Sequence, residues 1–274
     1  MSSTVVLVSD LHCNSRVGLS PPTVNLDNGG TYRASKPQRW LWSRFLAFRD
    51  EAAEIRERNG GRLILILNGE LADDNHHSKY ELVDINPKTM MATAIEAIRP
   101  LLELVREGDA IYVTRGTEAH SGRGSWMDDR IAADIGAVAA DEGVASFYHL
   151  LLNIDGVRFN IAHHPPVGPG RLPWTSPTYA TRLASHAYMS AIMAGEQPPH
   201  LYVRGHYHVP GDSYDAYPTR ALALPSWQLP TSYVYRLGGE RPAPVGGAVV
   251  TCDRGRYELE KAYYEGLTRR YEVV

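Results

Sequence analysis

Cysteine is scarce in this chain: Cys13 and Cys252 are the two in 274 residues, and they do not form a C-x-x-C pair. Two cysteines are too few for a disulfide scaffold, and without a C-x-x-C pair a thiolate metal site is not expected. This usage fits a reducing intracellular compartment. We therefore expect a cytoplasmic protein.

Long apolar runs and a surplus of one charge are also missing. No stretch of the sequence reaches the roughly 18 consecutive apolar residues that a membrane-spanning helix needs, and no secretory signal is visible. Lysine and arginine number 28 against 31 for aspartate and glutamate, which gives a formal charge of -3. We expect no membrane partner, and the overall charge does not indicate a nucleic-acid partner.

Five short polar segments, each at the end of an apolar run, are what the chain does contain. The runs, rich in Val, Ile and Leu, are predicted to be buried strands at 4–8, 63–67, 110–113, 157–162 and 201–203. Ligands gather beyond the carboxyl ends of strands in open α/β sheets, so we expect the segments to converge on one sheet edge. In chain order they are Ser9-Asp10-Leu11-His12, Asn68-Gly69-Glu70, Arg115-Gly116-Thr117-Glu118-Ala119-His120, His163-His164-Pro165-Pro166 and Gly205-His206-Tyr207-His208. Asp73 and Asp74 follow the second segment.

The segments supply imidazoles and carboxylates, which are the ligands of hydrolytic metal centres. Asp10 and His12 lie two residues apart, so on extended backbone both side chains would point to the same side. His206 and His208 repeat that spacing. Glu70 follows the second run, where a ligand bridging two cations would lie.

Adjacent histidines end the fourth run. His163 and His164 would face opposite ways on a strand, so we expect one of them to be a metal ligand. His76 and His77 lie in a polar loop after the second run, and we expect them to face solvent or substrate rather than to ligate.

The rest of the sequence predicts an α/β (α+β) fold of two packed mixed β-sheets flanked by helices, a β-sandwich. An apolar stripe at spacings of three and four predicts a helix from Pro37 to Gly60, and a second helix is expected to be kinked or divided at Pro100. Asp155-Gly156 indicates a tight hairpin. Residues 125–141 are expected to be helical and peripheral. Since the candidate ligands span most of the chain, we favour a single domain over residues 1–274.

The ordered motifs resemble the calcineurin-like metallophosphoesterase family over residues 4 to 210. The motifs are Asp10-x-His12, Gly69-Glu70, the turn from Gly116 to His120, His163-x-Pro165 and Gly205-His206-Tyr207-His208. Their Asn-Gly-Glu and Gly-Thr-Glu-Ala-His variants are similar to a branch found among phage and prophage proteins. The resemblance implies the same architecture of two packed sheets flanked by helices. It also implies two divalent metal ions, which could be Mn, Fe, Zn or Ni.

The resemblance also implies a division of ligands between the two ions. Asp10, His12 and His208 would hold the first metal, and His163 and His206 the second. Glu70 stands where the family usually has a bridging aspartate. Thr117 stands where an asparagine normally ligates the second metal, and a hydroxyl is a poorer ligand, so we expect that ion to be held more weakly or through water.

The sequence leaves open which residue takes the role of the catalytic acid. In the family this turn supplies a catalytic histidine, and that position holds Glu118 here. His120, two residues further on, could take the role and protonate the departing oxygen as an imidazolium. Glu118 could instead be a ligand that compensates for Thr117.

The implied activity is hydrolysis of a phosphodiester, such as a nucleotide or nucleic acid, or of a phosphomonoester. Hydroxide formed between the two cations would attack phosphorus. The substrate would be a phosphorylated small molecule or a nucleic acid. The alternative is a catalytically silent relative that acts as a protein-binding or nucleic-acid-binding module, and the departures at Glu70 and Thr117 favour it.

Overall fold

The structure is a computed structural model that describes residues 2–75, 81–170, 175, 177–236 and 243–266. His76 and His77 lie outside the described residues. The strands of the described part are β1 Ser3–Val8, β2 Thr23–Asn25, β3 Thr31–Arg33, β4 Arg62–Asn68, β5 Ala110–Thr114, β6 Leu150–Ile154, β7 Val157–Ile161, β8 Leu201–Arg204, β9 Gly211–Asp212, β10 Arg220–Ala223, β11 Val245–Asp253 and β12 Arg256–Tyr264. The helices are α1 Lys36–Asn59, α2 Pro87–Leu102, α3 Glu118–Ser121, α4 Trp126–Asp134, α5 Tyr179–Ala194 and α6 Ser232–Arg236.

The first of two large sheets has the strand order β12-β11-β1-β4-β5. Strands β1, β4 and β5 run parallel, whereas β11 is antiparallel to β1 and β12 is antiparallel to β11. The last strands of the chain therefore extend the sheet that the first strand begins. The sequence predicts strands in this region without indicating that partner.

The second large sheet has the order β6-β7-β8-β10-β9. Strands β6 and β7 form the predicted hairpin around Asp155-Gly156, and β8 lies parallel to both β7 and β10. A separate two-stranded hairpin, β2 with β3, lies within the loop that follows β1. The predicted class of two packed mixed sheets flanked by helices is confirmed.

The sheets pack face to face through alternate side chains of their strands. Val5 and Leu7 of β1 face Phe159 and Val203 of the second sheet in one buried cluster, while Val6 faces the helices on the other side. Burial on both faces explains why the strand sequences are continuously apolar rather than alternating. The carboxyl ends of β1, β4, β5, β7 and β8 carry the five polar segments.

Helix α1 begins and ends where the sequence predicts. Ser35 caps it through a capping box with Gln38, and Gly60 ends it in the left-handed conformation. Helix α2 is not divided at Pro100, because that proline lies in its last turn and the helix ends at Leu102. Among the described residues, no helix combines the length and hydropathy that crossing a bilayer requires.

Helix α4 corrects the expectation that residues 125–141 are peripheral. Met127, Asp128 and Ile131 are fully buried, and the helix contacts both β5 and α2. Its mixed composition concealed this because one of the buried side chains is a carboxylate. That carboxylate organises the site.

Candidate metal centre

The loops after β1 and β4 continue the pairing of those strands beyond the sheet edge. The amide of Asp10 donates to the carbonyl of Gly69 at 3.1 Å, and the amide of His12 donates to the carbonyl of Glu70 at 2.9 Å. These bonds hold the first two polar segments side by side. The segment after β8 joins them, because the amide of His206 donates to the Asp10 carboxylate at 3.2 Å.

Four side chains form what we call the first ligand group: Asp10, His12, Glu70 and His208. Their donor atoms lie within 4.8 Å of one another. His12 Nε2 is 3.1 Å from Glu70 Oε2, and His208 Nε2 is 3.2 Å from Asp10 Oδ1. Three of the four residues are buried, so an ion held here would be largely shielded from water.

Three side chains form the second ligand group: Glu70, His163 and His206. His163 Nε2 lies 3.3 Å from Glu70 Oε1, and His206 Nδ1 lies 3.9 Å from the same oxygen. Glu70 thus directs Oε2 to the first group and Oε1 to the second. A single carboxylate shared in this way is the arrangement that a bridging ligand requires.

The histidine nitrogens are oriented as metal ligands are. His163 Nδ1 donates to the carbonyl of Asn68 at 2.8 Å, and its Nε2 is buried without a hydrogen-bond partner among the described residues. His206 Nδ1 is likewise buried and unpartnered there. His12 Nδ1 donates to the Asp73 carboxylate at 2.8 Å, which leaves Nε2 directed at the group. Ligating histidines usually donate their second N–H to a carboxylate or carbonyl, so these residues fit divalent metal ions.

The electrostatics of the centre favour positive charge. Burial alone would raise the pKa of Glu70, but the charge of His163 and hydrogen bonds from the neighbouring imidazoles hold it well below its ordinary value. Burial alone would lower the pKa of His12, yet Asp73 and Glu70 raise it to about 10. Burial alone would also lower the pKa of His163, but the charges of Glu70 and Asp10 raise it to about 9. Bound cations would replace these protons.

The backbone at the ligands differs from the extended form expected from sequence. Asp10 and His12 have φ values of 55° and 46°, and His206 and His208 have 75° and 56°. Glu70 has a φ of 53°. The expectation that the Asp-x-His and His-x-His pairs converge through strand alternation is therefore wrong. They converge because left-handed turns, which cost side-chain-bearing residues energy, direct them inward.

Two glycines allow the loops to approach this closely. A Cβ atom on Gly205 would lie 2.2 Å from Ser9 Oγ and 2.6 Å from Asp10 Oδ2. On Gly116 it would lie 2.5 Å from Glu70 Cγ. Side chains at either position would push apart the segments that carry the ligands.

The turn after β5 places its three candidate residues differently. The hydroxyl of Thr117 donates to Glu70 Oε1, so it supports the carboxylate shared by the two groups. Glu118 is exposed, accepts a hydrogen bond from the amide of Gly124 at 3.0 Å, and belongs to none of the ligand groups. His120 lies at the rim, 30% exposed, with its ring 4.5 Å from that of His12.

Of the adjacent histidines, the structure places His163 in the second ligand group. His164 is exposed, and its ring lies 5.0 Å from that of His206. This arrangement agrees with the expectation that one of the two faces the centre. All six histidine and carboxylate side chains expected as ligands lie in the two groups.

Two further carboxylates act at the site: Asp73, which follows the second polar segment and for which the sequence indicates no specific role, and Asp128, which the sequence does not mark. Asp73 Oδ1 accepts from Nδ1 of His12 at 2.8 Å and from Nδ1 of His120 at 2.5 Å, and so links a ligand to the rim. Asp128 of α4 accepts from the amides of Glu70 and Gly116 at 3.2 and 2.7 Å, which joins two loops. Asp73 lies three residues after Glu70, which is a usable signal, whereas nothing in the local pattern marks Asp128.

Comparisons with known proteins find likeness in structure and not in sequence. No family model matches the chain, and no curated protein matches it. A dimetal phosphatase from Danio rerio aligns with a TM-score of 0.46 and 9% identity over 94% of this chain and 95% of its own. Vps29 from Entamoeba histolytica, complexed with zinc, aligns with a TM-score of 0.39 and 13% identity over 96% of this chain and 99% of its own. A metallophosphoesterase from Sphaerobacter thermophilus aligns with a TM-score of 0.35 and 14% identity over 97% of this chain and 90% of its own.

Proposed function

We propose that this chain is a metal-dependent phosphoesterase with two divalent metal ions, working as one domain. The observation that carries the proposal is Glu70, whose two carboxylate oxygens face separate sets of histidines. A site with one shared carboxylate and imidazoles on both sides suits a pair of cations, which clamp an ester phosphate in hydrolases.

The residues divide the work of holding the metals. Asp10, His12 and His208 would hold one ion, His163 and His206 the other, with Glu70 between them. When bound, such ions supply Lewis acidity toward phosphoryl oxygens and lower the pKa of water. The buried carboxylates and the orienting bonds to Asn68 and Asp73 keep the ligands in place before any ion arrives.

His120 is the residue that would deliver a proton. Because Nδ1 donates to the Asp73 carboxylate, the imidazolium form would present its remaining proton on Nε2. The partial exposure of the ring allows contact with a leaving oxygen. Glu118, exposed and bonded to a backbone amide, is not placed for this role.

Phosphodiesters, such as nucleotides or nucleic acid, are the substrates we propose within this class. The proposal rests on the resemblance of the Asn-Gly-Glu and Gly-Thr-Glu-Ala-His variants to phage and prophage proteins. Phosphomonoesters are the alternative substrates, and the same metal ligands would serve them.

A catalytically silent binding module is the second candidate, and one contact favours it. Thr117 directs its hydroxyl to Glu70 and stands where an asparagine would ligate, so the second ligand group has three donors. If the second group bound no ion, the first group would hold a single ion, and the proposed hydrolysis, which needs two, would not take place.

Metal analysis combined with hydrolysis tests the proposal. Purified protein equilibrated with Mn²⁺ should retain two ions per chain and should hydrolyse bis(p-nitrophenyl) phosphate faster than p-nitrophenyl phosphate. Glu70→Gln should reduce both metal content and turnover, whereas Glu142→Gln, at an exposed glutamate, should leave both unchanged. Folded protein that retains no metal and hydrolyses neither ester would support the binding module. A preference for the monoester would overturn only the substrate assignment.

A further inference from the structure

A cavity of about 600 Å³ lies on the outer face of the second sheet, and none of the candidate metal ligands lines it. Strands β6, β7 and β8 form its floor, and α5 forms one wall through Ala187, Ser190 and Ala191. We call it the outer cavity. It shares no residue with either ligand group.

Arg204, at the end of β8, lines the outer cavity and is 2% exposed. Its Nη1 donates to the carbonyls of Asn160 and Val203 at 3.0 and 2.7 Å, and Nη2 donates to Asn160 Oδ1 at 2.9 Å. Its guanidinium carbon lies 3.5 Å from the centroid of the Tyr202 ring. Nε has no acceptor among the described residues.

All of these partners are uncharged, although Arg204 is one of the two arginines that are buried in the described part of the chain. Arg56 is buried to a similar degree but pairs with the Asp109 carboxylate at 2.7 Å. Arg204 forms no ion pair with any carboxylate of the described part of the chain, and its partners there are backbone carbonyls, an amide oxygen and an aromatic ring. A buried charge without a counter-ion is costly, so this guanidinium is prepared for an anion that the chain itself does not supply.

The remaining lining is both cationic and apolar. Arg158 donates to the carbonyl of Pro198 and, like Arg204, has no carboxylate partner among the described residues. Glu196 is the one carboxylate among the residues described as lining the outer cavity, so guanidinium groups outnumber carboxylates two to one. The apolar side includes Leu151, which is 69% exposed on the edge strand β6.

We propose that the outer cavity binds a small amphipathic anion, with a carboxylate or phosphate-type group on Arg204 and an apolar body between Leu151 and α5. A planar guanidinium accepts either oxyanion, and its own contacts already hold it in place. The partial enclosure by sheet and helix suits a small molecule rather than a flat protein surface. This binding does not depend on the proposed hydrolysis.

Isothermal titration calorimetry of protein dialysed against a chelator tests the proposal with three six-carbon probes, because metal ions at the ligand groups would offer the anions a second binding site. Hexanoate and hexylphosphonate carry the anion, and hexanol is the neutral control. We expect the anions to bind at least tenfold more tightly than hexanol, and the stronger of the two identifies the preferred group. Arg204→Gln should weaken anion binding about tenfold or more, since charge-assisted hydrogen bonds are lost. Arg130→Gln, at an exposed arginine outside the cavity, should not.

A second variant keeps the test decisive if Arg204→Gln does not fold. Ser190 is exposed on α5 and lines the outer cavity, so Ser190→Trp should fill the space without disturbing the core. Loss of hexanoate and hexylphosphonate binding in this variant supports the proposal. Equal affinity for hexanol and the anions in the wild-type protein would overturn it. Anion binding that survives in a folded Arg204→Gln variant, or in Ser190→Trp, would overturn it as well.

Discussion

The two ligand groups around Glu70 differ in how completely the protein fills them. The first group offers four donors, and one of its histidines, His12, is oriented by the Asp73 carboxylate. The second offers three donors, and there Thr117 directs its hydroxyl to Glu70. If both groups bind ions as proposed, the first group would hold its ion more firmly, and the second would leave coordination positions open, as catalytic sites do.

Removing one ligand from each group should give the largest effects and show the difference directly. We expect His12→Ala to abolish detectable hydrolysis and tight binding of the first ion, because it breaks a four-donor group and removes the imidazole that Asp73 Oδ1 contacts. His206→Ala should also lose activity but retain about one ion per chain, since the first group stays intact. Metal content after dialysis and hydrolysis rates measure both, with His186→Ala on the exposed face of α5 as control. Identical metal loss in the two variants would contradict the contrast.

His120→Ala should reduce turnover of esters with poor leaving groups by about 10²- to 10⁴-fold, the usual contribution of a general acid. Nitrophenyl esters, whose leaving group needs no proton, should be affected much less. Glu118→Gln should remain close to wild type because that side chain is exposed and bonded to a backbone amide. The reverse pattern, measured with matched leaving groups, would transfer the role to Glu118.

Asp73→Asn should act on the first group alone. Losing the charge that orients His12 is expected to lower the affinity for the first ion by about 10- to 100-fold, as substitutions of residues that orient metal ligands commonly do. Competition with a fluorescent chelator measures both affinities in one titration. Equal weakening of the two ions would show that Asp73 supports the whole centre rather than one side.

Thr117→Asn should have the smallest effect, and it changes the second ligand group. An amide oxygen offers the second group a fourth donor, so we expect its ion to bind about tenfold more tightly, or about 1.4 kcal/mol. Thr117→Val, which also removes the hydroxyl but adds no donor, is the matched control. If both variants changed the second affinity alike, loss of the Glu70 hydrogen bond would be the cause.

Much of the fold could be predicted from the sequence because its signals are local. Apolar runs ending at Val8, Leu67 and Val203 coincide with strands β1, β4 and β8, and Ser35 with Gly60 marks the ends of α1. The convergence of the five polar segments followed from the rule that parallel strands end at a common edge. The pairing of β11 with β1 could not be predicted, since it joins the two ends of the chain.

The site was predictable in its residues and less so in its geometry. The left-handed backbone at the ligands depends on loops meeting across the sheet edge, which a spacing of two residues does not indicate. Asp128 acts through amides of two loops that are distant in sequence, so its own neighbourhood carries no signal. Asp73 is more easily inferred, being a carboxylate close to Glu70 in a chain segment dense with ligands.

Five of the six ligand residues lie on left-handed backbone, and each costs the folded chain about 1–3 kcal/mol. Ions that bind the native state alone add their binding free energy to its stability, and so offset this cost. Heat resistance, and the amount of intact protein that survives quality control in a cell, should therefore follow the supply of divalent cations. Growth medium depleted of such ions would lower the yield of the protein before any assay was performed.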